Sequence, residues 1–500
     1  MRSARDLPRW RTRIARRQGG LIGGSAINFV GLAIGSASQF GVVLVLARLL
    51  STETAGVFLL GFATFRIAVG LCGVGVNITA VRYGALARAR GDVEAARSAS
   101  FTVLAIAIAG GLLGTVLLAG TAGIFADGFH APALGPVLIV FAVGIPLSTF
   151  TLTAAGVARG ARQTARAIFL EQVADSGFRF AGMVVGLILE RSAMGAAIGF
   201  TSGGAVAAVT AACMTAPEWM GGRMQRGPEL HHLVRFSAFQ WGTVFTGTAF
   251  RWADSLLLGL WKTPAEVAIY ATATRAVWLG LVFVMPIALA FQPIIAELAE
   301  NGRIDRLRKL YVSATRLSTV VGCTPLLLTG VCAGPILAAV YGPRYESGAL
   351  ALAFLSVGQA TNAAAGPAAT VVTMVGRADL TLAFNATALI ADVCLNAVLI
   401  PAYGMSGAGA AWCLSLILLC VLRFGQCRRE IGARVLDAWL LRAGSALGVG
   451  VGITALVVEA MGDFAPAAIA AAALTAGLVT VAVALLALGV RLADLVALSD

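Results

Sequence analysis

From residue 98 to residue 126 the chain carries no charged side chain, and comparable apolar runs recur from one end to the other. About 20 consecutive apolar residues let an α-helix cross the ~30 Å hydrocarbon core of a bilayer. No water satisfies the backbone there, so a spanning chain must close its own hydrogen bonds as helices or as a sealed barrel. These runs are too long and too continuously apolar for the ~10-residue alternating strands of an outer-membrane barrel. Only 12% of the 500 residues are charged, against about 25% in soluble domains. The sequence therefore predicts an all-α polytopic membrane protein.

At ~20 residues per span the runs divide into fourteen transmembrane helices, the first at 21–47 and the last at 464–490. The second covers 54–77, the fifth 167–189, the seventh 236–260, the eighth 267–295 and the eleventh 378–400. A basic tail (1–20) precedes a six-helix bundle (21–216), a linker (217–235), a second six-helix bundle (236–424) and two further helices (437–490). The first run far exceeds the ~7–15 residues of a cleavable signal and reads as a retained helix. Arginine and lysine divide 28 to 4 between the two sides, with five more inside spans. The positive-inside rule then puts both termini in the cytoplasm.

The same loops account for the net charge of +13. No basic run is interleaved with aromatics as single-strand binding requires, so no nucleic acid is expected. No loop is long enough for a catalytic or nucleotide-binding domain, and no G-x-x-x-x-G-K-[ST] phosphate loop occurs. Neither an enzyme nor an ATP-driven pump is expected. The eight cysteines form no C-x-x-C pair, and the adjacent His231 and His232 are poorly placed to share an ion, so no metal site is expected. A partial internal repeat points to transport instead. "LLSTETAGVF" (49–58) enters the second helix, and "LWKTPAEVAIY" (260–270) enters the eighth, six helices later. Two like-oriented bundles suit alternating access about a central site.

Charges inside the spans are the candidate site. One at a bilayer centre costs roughly 2.5–3.5 kcal/mol on insertion scales, so each needs a partner or a function. On the seventh helix Arg251 and Asp254 are three apart and share a face. On the fifth, Glu171, Asp175 and Arg179 follow at spacings of four as one polar stripe. Either set can be a self-satisfied pair or a gating or coupling element. The eleventh helix carries Asn385, Asp392 and Asn396 on one face, readable as interhelical hydrogen bonding or as a proton or cation site. Arg66 and Arg275 differ, because neither has an acid within four residues on its own helix. Their partner is a carboxylate on another helix, such as Asp175 or Asp392, or an anionic ligand. The planar guanidinium fork suits phosphate oxygens.

Four stretches carry a resemblance: "LARLLSTETAGVFLLGFA", "DSLLLGLWKTPAEVAIYATATRAV", "AAVYGPRYESGALALAFLSVGQATNAAAGPAATVVTMVGRADL" and "LNAVLIPAYGMSGAGAAW". Across 23–425 the chain resembles the polysaccharide transporter, or Wzx-type oligosaccharide flippase, branch of the multidrug/oligosaccharidyl-lipid/polysaccharide (MOP) exporter superfamily. Its most specific part is the block at 395–410. The resemblance implies two MATE-like six-helix bundles and a flippase that turns an undecaprenyl-pyrophosphate-linked oligosaccharide across a bacterial inner membrane. It also implies surface polysaccharide (O-antigen or exopolysaccharide) assembly, membrane lipids and a polymerase machinery as partners, a monomer, and a coupling proton or sodium ion.

In related flippases, arginines on the second and eighth helices line a cationic cavity for the pyrophosphate, and Arg66 and Arg275 stand on those helices. The first-helix Arg-Asp pair of the related lipid II flippase is missing here, where "QFGVVLVLAR" (39–48) offers only Gln39 before Arg48. Two other readings carry less. A drug or cation antiporter of the same superfamily favours an acidic cavity. A membrane glycosyltransferase needs larger outer loops.

Overall fold

The computed structural model describes residues 30–487 apart from 32, 226–227, 282–284, 376–377, 434–437 and 463. The basic tail expected at 1–20, the start of the span 21–47 and the last residues of the span 464–490 lie outside the described residues. What is described is helical throughout, with no strand. In chain order come α1 (Ala33–Leu49), α2 (Thr52–Cys72), α3 (Val76–Ala89), α4 (Val93–Gly128) and α5 (Leu134–Gly160). The next span stacks α6 (Thr164–Ile168), a π-helical segment (Phe169–Phe178) and α7 (Arg179–Leu189), and α8 (Ala193–Trp219) follows. After it come α9 (Pro228–Trp261), α10 (Pro264–Leu281), α11 (Met285–Glu300) and α12 (Ile304–Ser318). A second π-helical turn (Thr319–Cys323) leads into α13 (Thr324–Val331) and α14 (Ala333–Tyr341). The chain ends in α15 (Ala349–Ala364), α16 (Gly366–Met374), α17 (Ala378–Ile431), α18 (Ala438–Ala460) and α19 (Pro466–Ala487).

Bilayer-type surfaces are visible along these helices. Leu189 is 81% exposed and Ile124 72%, which water would penalise and lipid does not. Among the described residues nine helices are long and apolar enough to cross a membrane, or ten if one bent pair counts as a span. That test does not establish the expected fourteen. Part of the gap has a physical cause: residues 380–431 form one continuous helical stretch although the chain turns back inside it at Gly404.

Gly404 holds φ +58° and ψ −137°, a conformation open essentially to glycine. Three residues later a Cβ on Gly407 would stand 2.2 Å from the carbonyl oxygen of Leu399. The "PAYGMSG" stretch is therefore a hairpin between two antiparallel spans.

Two compact units divide the chain. Unit 1 holds the described part of Met1–Val45 with Thr64–Ala126 and Pro132–Phe245. Its tightest packing sets α7 on α8 through glycine: a Cβ on Gly199 would lie 2.1 Å from the Gly182 carbonyl oxygen. Small residues let transmembrane backbones approach this closely. Unit 2 holds Leu46–Ala63, Asp127–Ala131 and the described part of Thr246–Asp500. The end of α1 and the start of α2, residues 46–63, thus cluster with unit 2.

Within unit 2 the two repeated turns meet. Ser51 accepts from the Thr54 backbone N–H at 3.2 Å, and Thr263 from that of Glu266 at 3.4 Å. Each is the N-cap type of contact that starts a helix. A Cβ on Gly56 would come 1.8 Å from the Pro264 carbonyl oxygen, so α2 and α10 touch through backbone at their entries.

Candidate functional site

Arg66 lies fourteen residues into α2, about 21 Å from its start at 1.5 Å per residue. Arg275 lies eleven residues into α10, about 17 Å in. Against a ~30 Å core Arg275 is near the middle and Arg66 about two-thirds of the way across. Arg275 starts deeper than sequence alone placed it, because α10 begins at Pro264.

In unit 1, Arg66 is partly buried and within electrostatic reach of Asp175, which favours it, and of Arg179, which opposes it. Asp175 already has a partner. Arg179 Nε donates to its Oδ1 at 2.9 Å, and Arg179 Nη2 donates to Ser148 Oγ at 2.7 Å. The Arg179 guanidinium lies 5.5 Å from the Phe65 ring centre and 5.1 Å from that of Phe200. It fits because residue 204 is glycine: a Cβ there would stand 2.4 Å from Arg179 Cζ. Arg66 forms no ion pair within 4.0 Å among the described residues.

The stripe expected on the fifth helix is not continuous. Glu171 accepts from Arg159 of α5 at 2.7 Å, away from the Asp175–Arg179 pair. Both acids lie in a π-helical segment, whose wider turn closes i→i+5. Such turns recur at functional positions.

In unit 2, Arg275 is 8% exposed and lies 4.8 Å from the Trp252 ring centre. The Phe62 ring meets Trp252 edge-on at 5.3 Å. Asp254 is buried and within electrostatic reach of Arg275. Its Oδ2 accepts from the Tyr270 hydroxyl at 2.5 Å and its Oδ1 from the Ser255 backbone N–H at 2.7 Å. Arg251, three residues earlier on the same helix, is exposed, while Asp254 turns inward to Tyr270.

Asp392 and Asn396 on α17 are fully buried. Ser415 and Asn396 flank Asp392, yet neither of its carboxylate oxygens completes a hydrogen bond. Asn396 Oδ1 and Ser415 Oγ are likewise without a partner. Asp254 and Tyr270 lie within electrostatic reach of Asp392. The buried Asp392 thus lies among a second carboxylate and three neutral oxygens. An uncompensated charge there is costly, and a proton or a hard cation would remove the cost.

Arg423 is a polar residue that the sequence reading missed. It counted as a cytoplasmic loop residue because it ends an apolar run, yet α17 continues past it to Ile431. Its Nη1 donates to Asn362 of α15 at 3.2 Å and its Nη2 to Asn385 at 3.5 Å. Asn385 therefore joins Arg423 and not Asp392, although it shares the Asp392 helix. Arg66 and Arg275 belong to different units.

The sequence profile of the family described as "Polysaccharide biosynthesis protein" matches residues 22–299. The protein "Probable flippase AglR" of Haloferax volcanii is 24% identical over 193 residues. That alignment covers 38% of this chain and spans 40% of the relative's own length. Among solved structures, the inward closed conformation of the lipid II flippase MurJ superposes with TM-score 0.71 at 12% identity, over 93% of this chain and 98% of that one. An inward-facing multidrug resistance MATE family transporter of the MOP superfamily gives 0.69 at 14%, over 81% and 98%. At these identities the two superpositions show a shared fold.

Proposed function

As this chain belongs to the polysaccharide biosynthesis protein family, we propose that it is a flippase. It carries an undecaprenyl-pyrophosphate-linked oligosaccharide across a bacterial inner membrane by alternating access and delivers it to a polymerase machinery outside. One observation carries this reading. Arg66 sits well inside its span, and the acid within its electrostatic reach, Asp175, is already held by Arg179 at 2.9 Å. The guanidinium keeps its charge and its donors, which fits a phosphate oxygen entering a low-dielectric site. Arg66 in unit 1 and Arg275 in unit 2 are the residues we assign to the pyrophosphate.

The acids of unit 2 give the cycle a drive. Asp254 is within electrostatic reach of Arg275 on one side and Asp392 on the other. A proton or sodium ion taken up by this acid pair cancels the negative charge that Arg275 senses. Arg275 then attracts an anion more strongly. Loss of the cation reverses this and favours release.

Cells depleted of the protein and complemented with wild type or with Arg66→Ala/Arg275→Ala test the reading. Mass spectrometry measures polyprenyl-pyrophosphate glycans, and an impermeant label reports their leaflet. The expected result is inner-leaflet accumulation that wild type relieves and the double variant does not. Normal function of the variant would overturn the arginine assignment. Without any such accumulation the flippase reading falls, and efflux of an organic cation tests the antiporter, which the Asp254–Asp392 pair would suit.

A further inference from the structure

A cavity of about 950 Å³ in unit 2 takes no part in the proposed transport step. It lies between the run α12–α13, α15, the second half of α17 and the start of α18. Thr315, Thr319 and Arg428 give it a polar end, and Leu327, Val421 and Leu447 are among its apolar walls. One wall contains the π-helical turn Thr319–Cys323, an irregularity that recurs at functional positions.

Depth and charge decide what fits. Thr315 and Leu327 are twelve residues apart and Val421 and Arg428 seven, so the cavity extends roughly 11–18 Å along its helices. That is close to half of a ~30 Å hydrocarbon core, or one leaflet. Arg428 lies twenty-four residues beyond the hairpin at Gly404, about 36 Å along the helix, which is headgroup depth.

Arg428 is exposed and makes no ion pair among the described residues. Trp439, next to the lining Leu440, holds its ring 5.1 Å from the Arg316 guanidinium, and its indole N–H is buried without a hydrogen-bond partner. Tryptophan is enriched at the membrane interface. A cationic mouth at headgroup level above apolar walls one leaflet deep matches a two-chain lipid with a negative headgroup. Basic pockets between transmembrane helices on the arginine-rich side bind such headgroups.

We propose that this cavity binds an anionic glycerophospholipid of the arginine-rich leaflet, with its phosphate on Arg428 and its acyl chains against the walls of α13, α17 and α18. A zwitterionic lipid brings its own cation beside its phosphate and leaves the net charge of Arg428 uncompensated. The substrate's pyrophosphate belongs deeper, at Arg66 and Arg275.

The test uses the purified full-length protein in detergent, with phosphatidylglycerol or phosphatidylcholine added and bound lipid counted by native mass spectrometry. Phosphatidylglycerol is expected to be retained and to raise the melting temperature, and phosphatidylcholine to do neither. Arg428→Ala should weaken its affinity about fivefold, which is the ~1 kcal/mol per basic residue at a membrane surface converted at ~1.4 kcal/mol per tenfold. A Cβ at Gly444 meets nothing within 4 Å. Gly444→Leu should therefore fill the cavity, leave lipid-free melting unchanged and abolish retention. Equal retention of both lipids would overturn the proposal, as would variants that bind like wild type. Displacement of bound phosphatidylglycerol by undecaprenyl pyrophosphate would also overturn it and assign the cavity to the substrate's tail.

Discussion

Arg179 is held by four kinds of contact at once: the Asp175 carboxylate, the Ser148 hydroxyl, two aromatic faces and the vacancy that Gly204 leaves for its head. Arg179 and Asp175 are only 3% and 5% exposed, so each partner needs the other. Arg179→Met leaves a buried carboxylate unpaired and should cost about 3–5 kcal/mol. Pairing it with Asp175→Asn should recover much of the loss, which thermal unfolding of the detergent-solubilised variants would show. If the single variant melts like wild type, the pair is not structural. The positions of the charges inside the apolar runs were legible in the sequence, whereas Arg423, at the end of a run, was not. Their partners were legible only along a single helix. Asp254 turns to Tyr270 sixteen residues away, and Arg423 to two asparagines on other parts of the chain, and no spacing rule reaches that far.

At the scale of elements, the hairpin joining the two halves of α17 rests on one backbone conformation. Gly404→Ala forces a Cβ into a glycine-only region and should cost about 1–3 kcal/mol, lowering the melting temperature without touching the charged clusters. If the variant melts as wild type does, the hairpin relaxes around it. The block at 395–410 that carried the family resemblance is this hairpin, so there sequence and element coincide. The internal repeat was equally readable, since Ser51 and Thr263 occupy matching helix starts. The π-helical segment at Phe169–Phe178 was not. Its ten residues carry no proline, and nothing in their composition marks a turn that closes i→i+5. Glu171 turns to Arg159 of another helix, a partner that spacing along its own helix does not show.

For the molecule as a whole, the question is what makes transport directional. A passive carrier equilibrates its substrate between leaflets, whereas a coupled one must couple each crossing to an ion. In unit 2 the buried Asp392 carboxylate is within electrostatic reach of Asp254, and Asp254 of Arg275. On the proposed coupling, cation occupancy of the acid pair and anion affinity of the arginine are two readings of one charge balance. One elementary charge moved through 100 mV contributes about 2.3 kcal/mol, enough to bias the leaflet ratio of a coupled substrate about 50-fold. Proteoliposomes holding the purified protein and a labelled polyprenyl-pyrophosphate glycan separate the cases. Sodium and proton gradients are imposed one at a time, and an impermeant reagent reads the leaflet ratio. Wild type should accumulate the glycan in one leaflet under one of the two cations and approach an even distribution under the other. Asp392→Asn keeps the shape of the side chain but loses the charge that binds the cation. It should still exchange the glycan, now to an even ratio under every gradient. If Asp392→Asn concentrates substrate as wild type does, the coupling ion acts elsewhere and the buried acid pair is structural.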